Sequence, residues 1–294
     1  EEQREPVEKY LQCHPLENIK FYYVDIPNFY KKIFKGFMYS GRLNVWNRRV
    51  LPLAKKISAD QKIDVIHQIT PIEFRAIGDY GKIANIKFVC GPLGGGESLP
   101  NGLKDYAKGH EIIEVVRSGI NRWYRFKLRI TGKLNHCDYI MFANKETRDF
   151  LGLDENFPLV TEIAADEISI EKRTISNDIN DERVFLFAGR MVYRKGLELL
   201  FDAIMEIPDE WKYIVKIVGD GPDFLHLKHR CESNSLLSAH VQFMGAVQYS
   251  EMQREYELSD VLIMPSIRET TGTVLIEAMS QGMPVITINK FGGA

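Results

Sequence analysis

The sequence has little cysteine and no paired cysteine motif. Its four cysteines (Cys13, Cys90, Cys137, Cys231) lie far apart and form no C-x-x-C pair. That pattern excludes a disulfide scaffold and a cysteine-built metal site, and reads as reduced thiols in a cytoplasmic protein. No apolar run approaches the roughly 18–20 residues that a membrane-spanning helix needs, and no signal peptide is visible. There is no D-x-D triplet, no internal repeat and no low-complexity tract. The net formal charge is only −2, so the whole molecule has no general attraction for nucleic acid. What remains is an ordinary globular mixture, 45% hydrophobic and 27% charged. Its 294 residues suffice for about two domains.

The balanced total conceals an asymmetry. Residues 1–165 carry 25 bases against 20 acids, and residues 166–294 carry 13 against 20. Residues 26–59 hold eight bases and no acid, and residues 117–133 hold six bases and no acid. Aromatic residues are interleaved with both, among them Phe29, Trp46, Trp123 and Phe126. Such stretches are either solvated helix faces or surfaces for an anionic membrane or substrate, and the sequence leaves both readings open.

Apolar runs alternate with helical stretches. In the first half, residues 19–26, 63–69, 86–90, 139–143 and 158–163 read as strands, and residues 45–57 and 145–150 as helices. Residues 166–183 are polar and read as a linker. The alternation then restarts, with strands at 184–188, 213–218, 240–244, 261–265 and 284–288 and helices at 196–207, 251–258 and 274–281. Near-continuous apolar strands between helices predict parallel sheets covered on both faces. The expected architecture is therefore α/β, with two Rossmann-like domains at 1–165 and 184–294 and a ligand cleft between them. The charged opening, and an ending at Ala294 straight after a strand, predict that both domains are incomplete in this chain.

The chemistry gathers at strand ends of the second half. Residues 265–277 read PSIRETTGTVLIE: a strand end, a loop with Glu269 and Gly272, and a helix start near Thr273. Ligands of parallel sheets bind beyond the carboxyl ends of strands, and a helix N-terminus there suits a phosphate. Glu269 and Glu277 would repel a phosphate if aimed at it. They are better placed to accept hydrogen bonds from hydroxyls on either side of one, so a diphosphate flanked by two sugars fits the pattern. Arg190 and Lys195, after the 184–188 strand, offer a planar fork and a compact charge for phosphate oxygens. The Gly219-Asp220-Gly221-Pro222 turn leaves room for a flat ring. Each element alone is ordinary loop chemistry; three at successive strand ends of one sheet are specific.

These pieces carry a resemblance. AGRMVYRKG (188–196), VGDGP (218–222), VQFMGAV (241–247) and SDVLIMPSIRETTGTVLIEAMSQGMPVI (259–286) resemble the nucleotide-sugar-binding domain of retaining GT-B glycosyltransferases of the group 1, or family-4, class. DVIHQIT, FVCGPLGGGE and YIMFANKET resemble the acceptor-side domain of a subset of that family. The resemblance implies transfer of a sugar from a nucleotide-diphosphate sugar to a saccharide or lipid-linked acceptor, as in cell-surface polysaccharide or glycolipid synthesis. It implies that Arg190 and Lys195 neutralise the diphosphate, Glu277 holds the ribose and Glu269 the transferred sugar. Backbone N–H groups of Thr270, Thr271, Gly272 and Thr273 would bind the sugar and distal phosphate, and Gly221, Met244 and Gly245 would line the base pocket. No metal and no other cofactor is expected, because fixed cations stabilise the leaving diphosphate.

Two departures stand out. Thr271 occupies the place of the family's usual aromatic residue. The strand end where many members carry a histidine reads Cys90-Gly91-Pro92, leaving His67 and the Gly94-Gly95-Gly96 loop as candidates for the first-domain side of the cleft. The expected setting is cytoplasmic, with peripheral contact to an anionic membrane and none with nucleic acid. Two alternatives are a nucleotide-sugar epimerase and a catalytically inactive module that binds a nucleotide sugar or an anionic polymer.

Overall fold

A computed structural model describes residues 4–34, 36–161, 163, 181–208 and 210–290. Most of the expected 166–183 linker lies outside them. Three helices, α1 (Arg4–Cys13), α2 (Asn28–Ile33) and α3 (Tyr39–Asp60), precede the first sheet. Then come β1 (Val65–Gln68), β2 (Lys87–Leu93), α4 (Glu111–Thr131), β3 (Tyr139–Phe142) and α5 (Lys145–Leu151). The second half runs β4 (Arg183–Ala188), α6 (Leu197–Met205), β5 (Tyr213–Val218), α7 (Phe224–Glu232), α8 (Ser235–His240) and β6 (Val241–Gly245). It continues with α9 (Tyr249–Glu257), β7 (Val261–Met264), α10 (Thr273–Ser280) and β8 (Val285–Thr287).

The strands form one sheet of order β1-β2-β3 and one of order β6-β5-β4-β7-β8. β1 and β2 are parallel, as are all four pairings of the second sheet. The second sheet is buried on both faces, as its apolar strands require. Along β4, Leu186 packs with Leu262, Leu275 and Ala278, whereas Phe187 faces Leu200, Phe201 and Leu237 on the other side. The chain leaves β4 toward β5 on one side and returns to β7 on the other, so the strand order reverses between β4 and β7. A crevice opens at such a reversal, beyond the carboxyl ends of the strands.

Several expectations need correction. Residues 19–26 form no strand. Their carbonyls at Val24 and Asp25 instead accept hydrogen bonds from Trp46 Nε1 (3.0 Å) and Arg49 Nε (2.8 Å) on α3. Residues 158–163 contribute one parallel bridge, Leu159 with Phe142, in place of a strand. Helices α7 and α8 were not expected. The compact units are Glu1–Leu93 with Asn121–Met141, and Gly94–Ile120 with Phe142–Ala294, in place of a cut near 165. Hydrogen bonds join Gly96 and Glu97 to Asn144 and Thr147, and Asn144 in turn donates to Thr270 O, which ties 94–97 to the second unit.

Candidate functional site

The strand-end loops of the second unit are bound to one another through their backbones. Gly189 N–H donates to Val218 O (3.0 Å), Met191 N–H to Asp220 O (2.8 Å) and Gly219 N–H to Gly245 O (2.8 Å). Ile267 N–H donates to Arg194 O (2.9 Å), which ties the loop after β7 to the loop after β4. Two glycines make this closeness feasible. Gly196 has φ +73°, and a Cβ there would stand 2.0 Å from Pro265 O; Gly219 has φ +134°, and a Cβ there would stand 2.0 Å from Gly189 O.

This closure brings Lys195 and Glu269 together from loops 74 residues apart in sequence. Lys195 Nζ donates to Glu269 Oε2, and Ser266 Oγ donates to the same oxygen at 3.3 Å. Both partners of the ion pair are largely buried. Glu277, on the second turn of α10, accepts a hydrogen bond at Oε2 from the Tyr256 hydroxyl (2.7 Å). Burial, reinforced by Glu277, pushes the Tyr256 phenol well above its ordinary pKa, so it stays a donor across the working pH range. Gly272 caps α10 without a side-chain hydrogen bond, leaving the first-turn N–H groups without a side-chain acceptor.

The remaining expected residues fall around this pair. Arg190 is exposed at the end of β4, and Thr270 and Thr271 are half-buried. Thr273 is the exposed first residue of α10. Met244 is exposed and Gly245 ends β6. Gly221 lies where a Cβ would stand 2.2 Å from Met191 O, so close backbone packing also demands glycine there.

The turn bearing Lys195 is braced from its far side. Tyr193 stacks on His110 (centroids 4.1 Å apart) and its hydroxyl donates to Glu114, which also pairs with Arg268 (3.0 Å). Tyr193 and His110 also border a cavity of about 830 Å³ in the same unit, in which Arg230 is taken by Glu198 and Asp202.

Gly94, Gly95 and Gly96 were expected on the first-domain side, but they lie in the second unit against the Thr270 loop. A Cβ on Gly94 would meet Thr270 Cγ2 at 2.3 Å. The adjacent Glu97 is only 1% exposed. Its Oε1 accepts from Gly95 N–H (2.9 Å), Asn144 Nδ2 (2.7 Å) and Thr147 Oγ1 (3.2 Å), and its Oε2 faces Arg117 (3.3 Å). Asn144 Nδ2 also donates to Thr270 O at 2.9 Å. A buried carboxylate so fully hydrogen-bonded holds its donors in one arrangement. His67 belongs to the first unit; it is exposed, and its Nε2 lies 2.9 Å from Gly91 O.

Sequence reading missed Tyr256, Glu97, Asn144 and Ser266. Asn144 had a local signal, as the N-cap of α5 accepting from Thr147 N–H (2.9 Å). Ser266 sits three residues before Glu269. Glu97 closes the FVCGPLGGGE segment, but its partners Arg117, Asn144 and Thr147 are distant in sequence, as is Glu277 from Tyr256.

A parallel sheet with an acidic pair, a lysine and a helix start at its reversal point offers both cations and hydrogen-bond acceptors to a ligand, and the comparisons agree with the fold. Residues 169–294 match the family described as Glycosyl transferases group 1. An uncharacterized glycosyltransferase of Methanocaldococcus jannaschii, MJ1607, is 33% identical over 39% of this chain and 29% of its own length. Sulfoquinovosyl transferase SQD2 of Arabidopsis thaliana is 31% identical over 40% of this chain and 22% of its own. The matched parts thus span less than a third of each of these relatives. Among solved structures, the lipopolysaccharide outer core galactosyltransferase WaaB has a TM-score of 0.55 at 17% identity, covering 83% of this chain and 61% of that one. Anabaena Alr3699/HepE in complex with UDP-glucose has a TM-score of 0.53 at 16% identity, covering 98% and 71%. These likenesses show a GT-B glycosyltransferase fold.

Proposed function

We propose that the protein transfers a sugar from a nucleotide-diphosphate sugar to a saccharide or lipid-linked acceptor, with retention at the anomeric carbon and without a metal ion. The observation that carries this reading is the Lys195–Glu269 pair at the β4/β7 reversal, with Glu277 following on α10. Lysine has three N–H donors. One goes to Glu269, and the others suit phosphate oxygens alongside the exposed Arg190. Oε1 of Glu269 and Oε1 of Glu277 take no hydrogen bond among the described residues. In this reading the first accepts from a hydroxyl of the transferred sugar and the second from the ribose. N–H groups from Thr270 to Thr273 bind the sugar and the distal phosphate, while Gly221, Met244 and Gly245 border the base.

The chemistry follows from charge development. As the bond between sugar and phosphate lengthens, negative charge grows on the diphosphate and positive charge on the sugar carbon. Arg190, Lys195 and the α10 N-terminus are fixed before the reaction and favour the former. Glu269 is committed to Lys195 through one oxygen, which suits a hydroxyl acceptor better than a covalent nucleophile. Attack on the face that the diphosphate leaves then accounts for retention. The UDP-glucose held by the HepE structure agrees with a nucleotide-sugar donor.

The test is thermal stability of the protein against UDP-, GDP-, ADP- and CMP-sugars and the free diphosphates. A ligand at a hundredfold excess over its Kd adds about 2.7 kcal/mol of stability. A shift with one nucleotide, lost in Glu277→Ala and Arg190→Ala, is expected. No shift with any of them would overturn the reading.

A further inference from the structure

The first unit holds a cavity of about 220 Å³ of its own, between α3 and the part of α4 from Asn121 onward. That size is below the roughly 300–1,000 Å³ of sites for drug-sized ligands, so it suits a small one. Arg48, Arg75, Lys82, Lys127 and Lys133 line it, with Tyr124 beside them. Asp79 is the one carboxylate of the lining, and Lys82 (3.1 Å) and Lys133 (3.4 Å) share it. Behind the lining, Glu73 pairs with Arg75 (3.1 Å) and accepts from Ser40 Oγ (2.6 Å). Five bases thus face two carboxylates, an excess of three positive charges.

Arg75 separates this pocket from a chance gathering of surface lysines. Its side chain is only 9% exposed. Asn44 Nδ2 holds its carbonyl (2.8 Å) and Glu73 takes one terminal nitrogen, yet its buried Nε has no hydrogen-bond partner among the described residues. A buried guanidinium N–H without an acceptor costs free energy, which an anion in the pocket recovers. Lys133 lacks counter-charge as well: burial pulls its ammonium below the ordinary lysine pKa, with Asp79 only partly opposing. Burial also raises the Tyr124 phenol, which therefore stays a hydrogen-bond donor.

We propose that this pocket is a second binding site, for the dianion of a small phosphomonoester. Such a group carries close to two negative charges at neutral pH and three strong acceptor oxygens. They match the guanidinium fork of Arg75 and the ammonium groups of Lys127 and Lys133. A phosphodiester carries less charge and fewer free oxygens, and leaves more of the positive excess unmatched. The pocket is separate from the proposed donor site. Every lining residue belongs to the first unit, whereas Lys195, Glu269 and Glu277 belong to the second. Asp79, Lys82 and Lys133 precede β2 and β3, toward the amino ends of these strands, whereas a parallel sheet places its reacting ligand beyond the carboxyl ends. The inference is independent of the donor reading and goes beyond it.

The test is titration calorimetry of the full chain with glycerol 3-phosphate, a monoester, and with glycerophosphocholine, a diester. One site per chain is expected, with the monoester bound about tenfold tighter or more. Arg75→Lys keeps the charge and an ammonium for Glu73 but removes the guanidinium fork, and should weaken binding about tenfold. Arg48→Ala/Lys127→Ala removes two exposed bases of the rim, and should weaken binding by about tenfold with an unchanged melting temperature. Lys55→Ala/Lys56→Ala on the exposed side of α3, and Arg190→Ala in the second unit, should each stay within about twofold. No binding of glycerol 3-phosphate, equal binding of the diester, or full affinity in both the Arg75 and the rim variants would overturn the proposal. So would a loss in the Lys55/Lys56 variant equal to that in the rim variant, which marks general charge attraction. A loss in Arg190→Ala would place the anion at the proposed donor site, and also overturns it.

Discussion

Tyr256 and Glu277 show how a site depends on single atoms. Tyr256→Phe keeps the ring and removes only the hydroxyl that orients the carboxylate. One neutral-to-charged hydrogen bond is worth about 1.5–3 kcal/mol, so urea unfolding should show a loss of that order, and nucleotide-diphosphate affinity should fall in calorimetry because Glu277 is no longer oriented. Tyr80 offers a test in the first unit. Its hydroxyl donates to Asn47 Oδ1 (2.9 Å), and burial, with Asp79 nearby, pushes its pKa up to about 12. The folded state therefore holds this proton more tightly than the unfolded chain, whose tyrosine titrates near its ordinary value of about 10. That stability is fully present below about pH 10 and is lost as pH rises toward about 12. Melting temperature measured across that range should fall, and Tyr80→Phe should flatten the slope. At this scale Lys195, Glu269 and Glu277 were legible, because each stands at a strand end or helix start within a local pattern. Tyr256 and Glu97 were not, since a hydrogen bond across 21 or 47 residues leaves no local periodicity.

At the scale of elements, the loops after β4, β5 and β7 behave as one backbone-bonded layer. Gly196→Ala places a Cβ against Pro265 O at a positive φ, so the layer must open. Urea unfolding should show a loss of about 2–4 kcal/mol, with donor binding impaired even though no ligand-contacting side chain is changed. Asn144 links α5 to the Thr270 loop, its Oδ1 capping α5 and its Nδ2 donating to both Thr270 O and Glu97 Oε1. Asn144→Ser keeps a capping oxygen but lacks the reach to Thr270. Loss of the Nδ2 donor to buried Glu97 should lower stability by about 1–3 kcal/mol in urea unfolding, while affinity for the free nucleotide diphosphate should change less than about twofold. The rate of sugar transfer should fall at least tenfold; a parallel loss of nucleotide affinity would mark a merely structural role. The same scale separates the two basic stretches, which composition could not. The exposed large apolar residues of 26–59 gather at its start, Phe29 to Tyr39, whereas those of α4 run the length of the helix.

At the scale of the molecule, the proposed donor residues belong to one unit, and hydrogen exchange can map them. With the nucleotide diphosphate that raises the melting temperature, protection should appear in peptides covering 189–196 and 269–277. Protection confined to β1 and β2 would contradict the assignment. No described helix is long and apolar enough to cross a membrane. The sequence by itself determined the parallel α/β character and the strand-end placement of the motif residues of 184–288. Apolar strands between helices can be buried only in covered parallel sheets, and a phosphate-type loop needs only neighbours in the chain. Tertiary structure alone decided that 19–26 stays out of the sheet, because α3 side chains take its carbonyls. It alone decided that 94–97 belongs with Thr270, and that the apolar side of α4 faces outward. Each of these depends on which distant surface a segment meets, and burial and hydrogen bonding settle that only once the chain has folded.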